Sequence, residues 1–343
     1  MVALRLRVPV TAVPDETAPV VWVLHDGKPG MASQALGLAE ATGFPFAERR
    51  LAVHRPWTWL PPQLWLAPLH AVSTNAGPLG PPWPDLVIGC GRLSAMPALA
   101  IRRASGGRTF AAQIQDPRVG RNEFDLLFVP EHDRLRGPRI IVTRGAIHRV
   151  TAARLAEARR QFPGLAGLPR PILSVLIGGA NRSYRLSLDR LAAIAEAIAG
   201  VLRSGGGSAL ITPSRRTGAA GVALLREKLM GLPAEIWDGG GENPYYAYLA
   251  YADALLVTAD SVSMISEAAS TGKPVHILEL AKSRWGGDGK FARFHATMRE
   301  AGITRPFTGH IESWSYSPLD DTARAGQLLR EQVLARLARR RYA

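Results

Sequence analysis

A single cysteine in 343 residues, Cys90, excludes an internal disulfide framework and any cluster of thiolate metal ligands, and makes a reducing cytoplasm the simplest compartment. No run approaches 18 uninterrupted apolar residues, so no segment is expected to cross a bilayer. The N-terminal stretch has two Arg but no sustained apolar core, and it contains Asp15 and Glu16, which makes it a poor secretory leader. Neither G-x-x-x-x-G-K-[ST] nor G-x-G-x-x-G occurs, so ATP and NAD sites of those kinds lose support. No Asp-x-Asp pair occurs either. Zinc-finger spacing and RNP-type aromatic motifs are missing, which leaves nucleic-acid binding resting on charge alone. No short-period repeat suggests a solenoid.

What is present describes a folded α/β chain. Hydrophobic residues make up 47% and charged residues 20%, enough apolar surface to offset the entropy of ordering. The length exceeds what one core usually serves, about 250–300 residues, so two domains are expected. The net charge of +14 and the pI near 10.7 favour an anionic partner: a nucleotide diphosphate, an acidic lipid surface or nucleic acid. Only five of the 42 basic residues are Lys. Arginine suits bidentate phosphate binding, although the same bias also follows from genomic composition.

Short β-rich runs at 20–24, 85–89, 109–114, 125–129 and 139–143 read as half of a parallel sheet, with a helix over 32–41. The Pro/Trp-rich stretch 56–84 reads as an irregular insertion. A helix over 151–161 leads into the turn-rich PGLAGLPRP. Strands follow at 172–177, 208–212, 234–237, 254–258 and 274–278, with helices over 187–203, 219–230 and 261–271. This alternation implies parallel strands with crossover helices. The expected division is 1–168, 169–318, and a terminal helix over 319–343. That helix reads as an amphipathic surface helix packed on the protein or as a basic helix lying on a membrane.

Ligands of parallel sheets bind at the carboxyl ends of strands, where free helix amides favour anions. Four strand-to-helix turns there carry unusual residues. HDGKPG supplies His25, Asp26, Gly27, Lys28 and Gly30; GCGRLS supplies Gly91, Arg92 and Ser94, and the two together suit the floor of an acceptor cleft. IGGANRSYRLS supplies Gly178, Gly179, Asn181 and Arg182 as backbone room and donors for phosphate or sugar. In TADSVSMISEA, Asp260, Ser261, Ser263 and Met264 surround a helix N-terminus suited to a diphosphate. Glu267 lies one turn on, placed to accept from two ribose hydroxyls. A further turn, TPSRRTG, offers Ser214, Arg215 and Arg216 as a diphosphate clamp. Each residue also has an ordinary reading as a tight turn, a helix cap or a solvated side chain.

Several stretches together resemble the "mitochondrial fission, elongated mitochondria" family: DGKPG at 26–30, QIQDPR at 113–118, FVPEHD at 128–133, TRGAIHRVT at 143–151, IGG at 177–179, TPSRRTG at 212–218 and TADSVSMISEA at 258–268. The resemblance implies the GT-B fold, two Rossmann-like doubly wound domains facing a cleft, and glycosyl transfer from a nucleotide sugar. The second half is also similar to the donor half of lipid-linked peptidoglycan N-acetylglucosaminyltransferases, where Glu267 and the turn Gly272-Lys273-Pro274 would hold ribose. Those transferases have a His where this chain has Met31, so the resemblance leaves the general base to Asp26, Asp116 or His25, in that order.

The expected function is metal-independent transfer of a sugar from a nucleotide diphosphate sugar to a glycan or lipid-linked acceptor, with no cofactor. The expected location is the cytoplasm, peripheral on an anionic inner membrane. A sugar-nucleotide epimerase on the same fold, or a non-catalytic adaptor in membrane division, are the alternatives.

Overall fold

The computed structural model describes residues 18–283 and 289–341. The stretch read above as a poor leader, up to residue 17, lies outside them. The first half runs β1 (Val21–His25), α1 (Pro29–Thr42), β2 (Phe46–Val53), β3 (Val72–Thr74), β4 (Leu86–Cys90), α2 (Arg92–Ala104), β5 (Phe110–Ile114), β6 (Leu126–Pro130), β7 (Ile140–Thr143) and α3 (Ala152–Gln161). The second runs β8 (Ile172–Ile177), β9 (Tyr184–Arg185), α4 (Leu188–Gly205), β10 (Ser208–Pro213), α5 (Gly218–Lys228), β11 (Ala234–Ile236), α6 (Tyr245–Tyr251), β12 (Ala254–Thr258), α7 (Val262–Ala269), β13 (Val275–Leu278), β14 (Ala281–Lys282), α8 (Lys290–Glu300), β15 (Thr304–Pro306) and α9 (Asp321–Arg341).

The first sheet has the order β3-β2-β1-β4-β5-β6-β7, parallel except for β3. Strands β1, β4, β5 and β6 are buried along their whole length, because helices cover both faces and leave no solvated side. One face packs on α1 through Ala35, Leu38 and Ala39, the other on α2 through Ala95, Ala98 and Leu99. The second sheet, β11-β10-β8-β12-β13-β15, is parallel throughout, with α4 on one face and α6 on the other. In both sheets the chain first winds outward one way and then returns to the other side of its first strand. The strand order therefore reverses between β1 and β4, and again between β8 and β12, which is where such sheets open a crevice for ligands.

The insertion expected to be irregular contains two 3-10 turns, Trp57–Trp59 and Pro62–Leu64, and the edge strand β3. Helix α3 packs on the second layer, where Ala158 joins Ala247, Tyr248 and Tyr251. Helix α9 returns to the first layer and buries Ala325, Leu329 and Val333 against the core beneath α1. Its apolar stripe is thus taken up by the protein, which favours the packed reading of the tail over the membrane one.

At Gly326 the two helices approach so closely that a Cβ would stand 2.4 Å from the Ala41 Cβ and 2.6 Å from the Ala41 carbonyl group. Gly200 in α4, by contrast, has open space around it. Alanine favours a helix by about 1 kcal/mol over glycine, whereas overpacking costs about 1–3 kcal/mol. Gly200→Ala is therefore expected to raise the denaturant midpoint and Gly326→Ala to lower it, with equal signs ruling out this packing.

Candidate nucleotide site between the two layers

The turns singled out in the sequence occupy the two reversal points. After β1 the chain makes the turn 26–28 and enters α1; after β4, Gly91 adopts φ 79° and opens α2. Across from them, the turns after β8 and β12 lead to β9 and to α7. The N-termini of α1 and α7 meet: a Cβ on Gly30 would lie 3.5 Å from the Ser263 hydroxyl. The first amides of a helix have no acceptor inside it; α1 contributes the Gly30 amide, since Pro29 has no N–H and the Met31 amide bonds Lys28 O, and α7 adds its first turn, so two positive dipole ends converge here.

In the first layer, the buried His25 has both ring nitrogens engaged: Nδ1 accepts from the Gly27 amide at 3.1 Å, and Nε2 lies 2.9 Å from Glu48. With Nδ1 an acceptor, Nε2 carries the proton, so His25 is a turn residue with no free lone pair. Asp26 accepts from the Lys28 amide at 3.1 Å and pairs with the Lys28 ammonium. Asp116 is held by both Arg121 nitrogens at 2.6 and 2.8 Å and by the Arg118 amide. Burial pushes its carboxyl up, but these donors outweigh it and leave it below its ordinary value. Arg92 is exposed. Ser94 corrects the expectation: it has no exposure, its hydroxyl donates to Gly91 O at 3.0 Å, and it supports the turn from beneath without reaching an acceptor.

In the second layer, Asp260 ties three turns together. Its side chain has no exposure; Oδ2 accepts from the Gly179 amide at 3.0 Å and from Arg216 at 2.7 Å, and its main-chain oxygen accepts from Asn181 Nδ2 at 3.0 Å. A Cβ on Gly178 would collide with this carboxylate at 2.3 Å, and one on Gly179 with Arg216 O at 2.4 Å. The glycines thus make room for neighbouring loops, where room for a ligand was expected. Asn181 Oδ1 accepts from the Ser183 and Tyr184 amides, and the Ser214 hydroxyl donates to Gly178 O. Ser261 caps α7 by accepting from the Met264 amide. Arg182 and Arg215 are exposed at the rim.

Glu267 is neither solvated nor open. It is 7% exposed; Oε1 accepts from Ser33 of α1 at 3.0 Å, and Oε2 accepts from the Tyr245 hydroxyl. Burial raises its pKa, with those two hydroxyls opposing. Lys273, in the Gly-Lys-Pro turn, donates to Leu249 O and Ala250 O at the end of α6, and burial lowers its ammonium to about 8. Ser33 and Tyr245 were not read from the sequence, nor were Gln115 and His295. Gln115 has φ 68° and donates to Gln34; His295 bonds Ala259 O at 2.8 Å below the α7 turn. Only the strand-end position of Gln115 gave a usable hint.

A cavity of about 980 Å³ lies elsewhere, lined by the C-terminal half of α1 (Gly37, Glu40), by His148, Arg149 and Arg154, and by the approach to α9. Nearby the layers are joined by Ser266, whose hydroxyl accepts from the Ala146 amide, and by Asp321, which accepts from the Arg144 and Gly145 amides.

Two doubly wound layers, joined on one side and meeting at helix N-termini on the other, define the GT-B class of fold. Solved structures share it at low identity. UDP-GlcNAc 2-epimerase from Methanocaldococcus jannaschii has a TM-score of 0.54 at 12% identity, covering 92% of this chain and 99% of that one. An S. aureus MnaA–UDP co-structure has 0.54 at 10%, covering 93% and 90%. The chain belongs to the Mitochondrial fission ELM1 family, whose model matches residues 29–333. It is 37% identical over 281 residues to Mitochondrial fission protein ELM1 of Arabidopsis thaliana, covering 74% of this chain. That match spans 65% of the plant protein's length. It is 26% identical over 289 residues to uncharacterized protein RP120 of Rickettsia prowazekii (strain Madrid E), covering 72% of this chain and 79% of that protein. Among the described residues no helix is long and apolar enough to cross a membrane.

Asp260→Asn keeps the shape but weakens the pull on Arg216 and the Gly179 amide. A buried donor left unsatisfied costs about 1–3 kcal/mol, and chemical denaturation should show a loss of that size; a neutral substitution would mean that the turns hold without the carboxylate.

The wall of the cavity sets a pH dependence. Burial lowers the His148 imidazole from 6.5 to about 4, with Asp321 opposing. The folded state therefore keeps the ring neutral: its contribution is complete above pH 6.5 and is lost as pH falls through 4. His276 and His295 are lowered by burial too and act in the same direction. Between pH 7 and 4.5, His148→Gln is expected to remove about 2–3 kcal/mol of the stability loss. Denaturation curves at the two values check it, and an unchanged loss in the variant would exclude His148 as a source.

Proposed function

We propose that the chain binds a nucleotide diphosphate sugar between the two layers and transfers the sugar to a hydroxyl of a glycan or lipid-linked acceptor on the first-layer side, without a metal ion. The observation that carries this reading is the meeting of the α1 and α7 N-termini at Gly30 and Ser263, with Arg182 and Arg215 exposed on the adjoining turns. A diphosphate there is met by free amides and guanidinium groups, which is how charge on a leaving group is stabilised without a cation. The epimerase and MnaA structures that share the fold are named with UDP-GlcNAc or UDP, which supports a nucleotide of this kind.

Glu267 would hold ribose by exchange. Its two oxygens already accept from hydroxyls, those of Ser33 and Tyr245, so two ribose hydroxyls replace them with little change in the carboxylate's surroundings. In the transfer step the acceptor oxygen bonds to the anomeric carbon, the bond from that carbon to the diphosphate breaks, and the acceptor proton passes to a base. Asp26 is preferred of the three candidates: His25 has no free lone pair, Asp116 is clamped on both oxygens by Arg121, and the cation paired with Asp26 is the solvent-exposed Lys28 ammonium, which can turn away to water.

Two other readings each have one supporting observation. The UDP-GlcNAc 2-epimerases that share the fold favour sugar epimerisation, and the name of the plant relative favours a non-catalytic role in organelle division.

Calorimetric titration with UDP, GDP, ADP, CMP and their sugar conjugates tests all three. One nucleotide is expected to bind. Ser263→Asp, which sets a negative charge at the α7 N-terminus, should weaken it about tenfold or more. Asp26→Asn should retain binding and abolish transfer, and EDTA should leave turnover intact. An epimerised sugar formed without acceptor would favour the epimerase, and binding of no nucleotide would favour the adaptor.

A further inference from the structure

The exposed apolar side chains are not spread evenly over the molecule. Of the eight large hydrophobic residues exposed among the described residues, four lie within eight positions: Trp59, Leu60, Leu64 and Leu66, at 74%, 40%, 55% and 93% exposure. They belong to the Pro/Trp-rich insertion after β2. The insertion is built to hold them outward. Trp65 between them is 3% exposed, and its indole N–H donates to Trp57 O at 3.1 Å and Leu60 O at 3.2 Å, pinning both 3-10 turns onto the α2 face of the first sheet. Leaving such side chains in water is unfavourable, and contiguous exposed apolar groups mark interaction surfaces.

The charge around them selects the partner. From Arg49 to Pro84 the chain has Arg49, Arg50 and Arg55 and no Asp or Glu. The Arg55 guanidinium lies 5.9 Å from the Trp59 ring centre. Exposed Trp and Leu beside Arg55, with no acidic residue in the run, match the two layers of an anionic bilayer surface: acyl chains for the apolar groups and phosphates for the guanidinium group. The basic terminal helix turns Ala325, Leu329 and Val333 to the core and, among the described residues, exposes a single large apolar side chain, Leu334, so it offers charge without an apolar cluster.

We propose that the 3-10 turns at 57–66 are the membrane-docking element of this chain, inserting Trp59, Leu60, Leu64 and Leu66 into an anionic lipid surface. The element follows β2 beyond the end of β1, so it stands at the carboxyl end of the first sheet, the side assigned above to the acceptor. Docking there would present that side to a lipid-linked acceptor. The acceptor meaning rests on the transferase reading, but vesicle binding does not and is measured without nucleotide.

The test is co-sedimentation of the full chain with vesicles of phosphatidylcholine alone and of phosphatidylcholine with phosphatidylglycerol. The wild type is compared with Trp59→Ser/Leu64→Ser/Leu66→Ser and with Arg339→Glu in α9. The three serine positions are exposed, and unchanged circular dichroism and melting would verify folding. The expected result is binding to the anionic vesicles, weakened about tenfold or more in the triple variant and little changed in Arg339→Glu. No wild-type binding to anionic vesicles would overturn the proposal, as would full binding by the folded triple variant. A wild-type dimer in sedimentation velocity that the triple variant dissolves would also overturn it, by assigning the patch to a second copy of the chain.

Discussion

The arrangement of the candidate site depends on one carboxylate with no access to water. A buried ionised group costs several kcal/mol unless it is paired and hydrogen-bonded. Asp260 meets that condition only by drawing in the Gly179 amide from the turn after β8 and the Arg216 guanidinium from the turn after β10. Three segments distant in sequence are thereby locked at one reversal point of the sheet. The α7 N-terminus follows directly, capped by Ser261, so its free amides are aimed before any ligand arrives. Donors fixed in advance need no reorganisation on binding, which is what makes them effective against developing charge.

The contacts between the two layers differ in kind from one side to the other. At the join, Asp321 and Ser266 accept from main-chain amides of residues 144–146, groups that cannot rotate away. At the cleft, Glu267 and Ser33 meet through a side-chain hydroxyl, and Ser33 loses little by turning to water. The join is a fixed support and the cleft contact is exchangeable.

The strands buried on both faces were legible because each is a nearly continuous apolar run, broken only by a buried polar residue such as Gln113 or Ser174. Strand β2 was not, since Glu48, Arg49 and Arg50 interrupt it, and it needs only one apolar face at the side of the sheet. Helix α6, seven residues of which four are Tyr, and the three-residue β15 carry no period long enough to read. In the site, cap and glycine chemistry placed the turns correctly, because a strand-to-helix turn imposes it locally. What those residues bond to was not legible. Asn181, Ser214 and Asp260 read as groups for a ligand, yet Asn181 donates to Asp260 O and Ser214 to Gly178 O, and a donor suited to a phosphate is equally suited to a neighbouring carbonyl or carboxylate. Ser33 lies 234 positions from Glu267, a pairing that only the meeting of the layers creates.

The large positive charge divides in the same way. Read from composition, 42 basic residues suggested either an anionic partner or a genomic bias. Many of them instead close the chain on itself. Arg330 donates to Thr42 O at the end of α1 and its guanidinium lies over Phe44; Arg159 and Lys273 donate to Ala250 O at the end of α6; Arg336 binds Gly107 O and Asp125. Cations at helix C-termini satisfy orphan carbonyls and the negative dipole end together. Arg216 is likewise held by Asp260, so the charge relevant to a ligand is the exposed local subset Arg92, Arg182 and Arg215, and an anion-binding argument has to rest on those positions and not on the total.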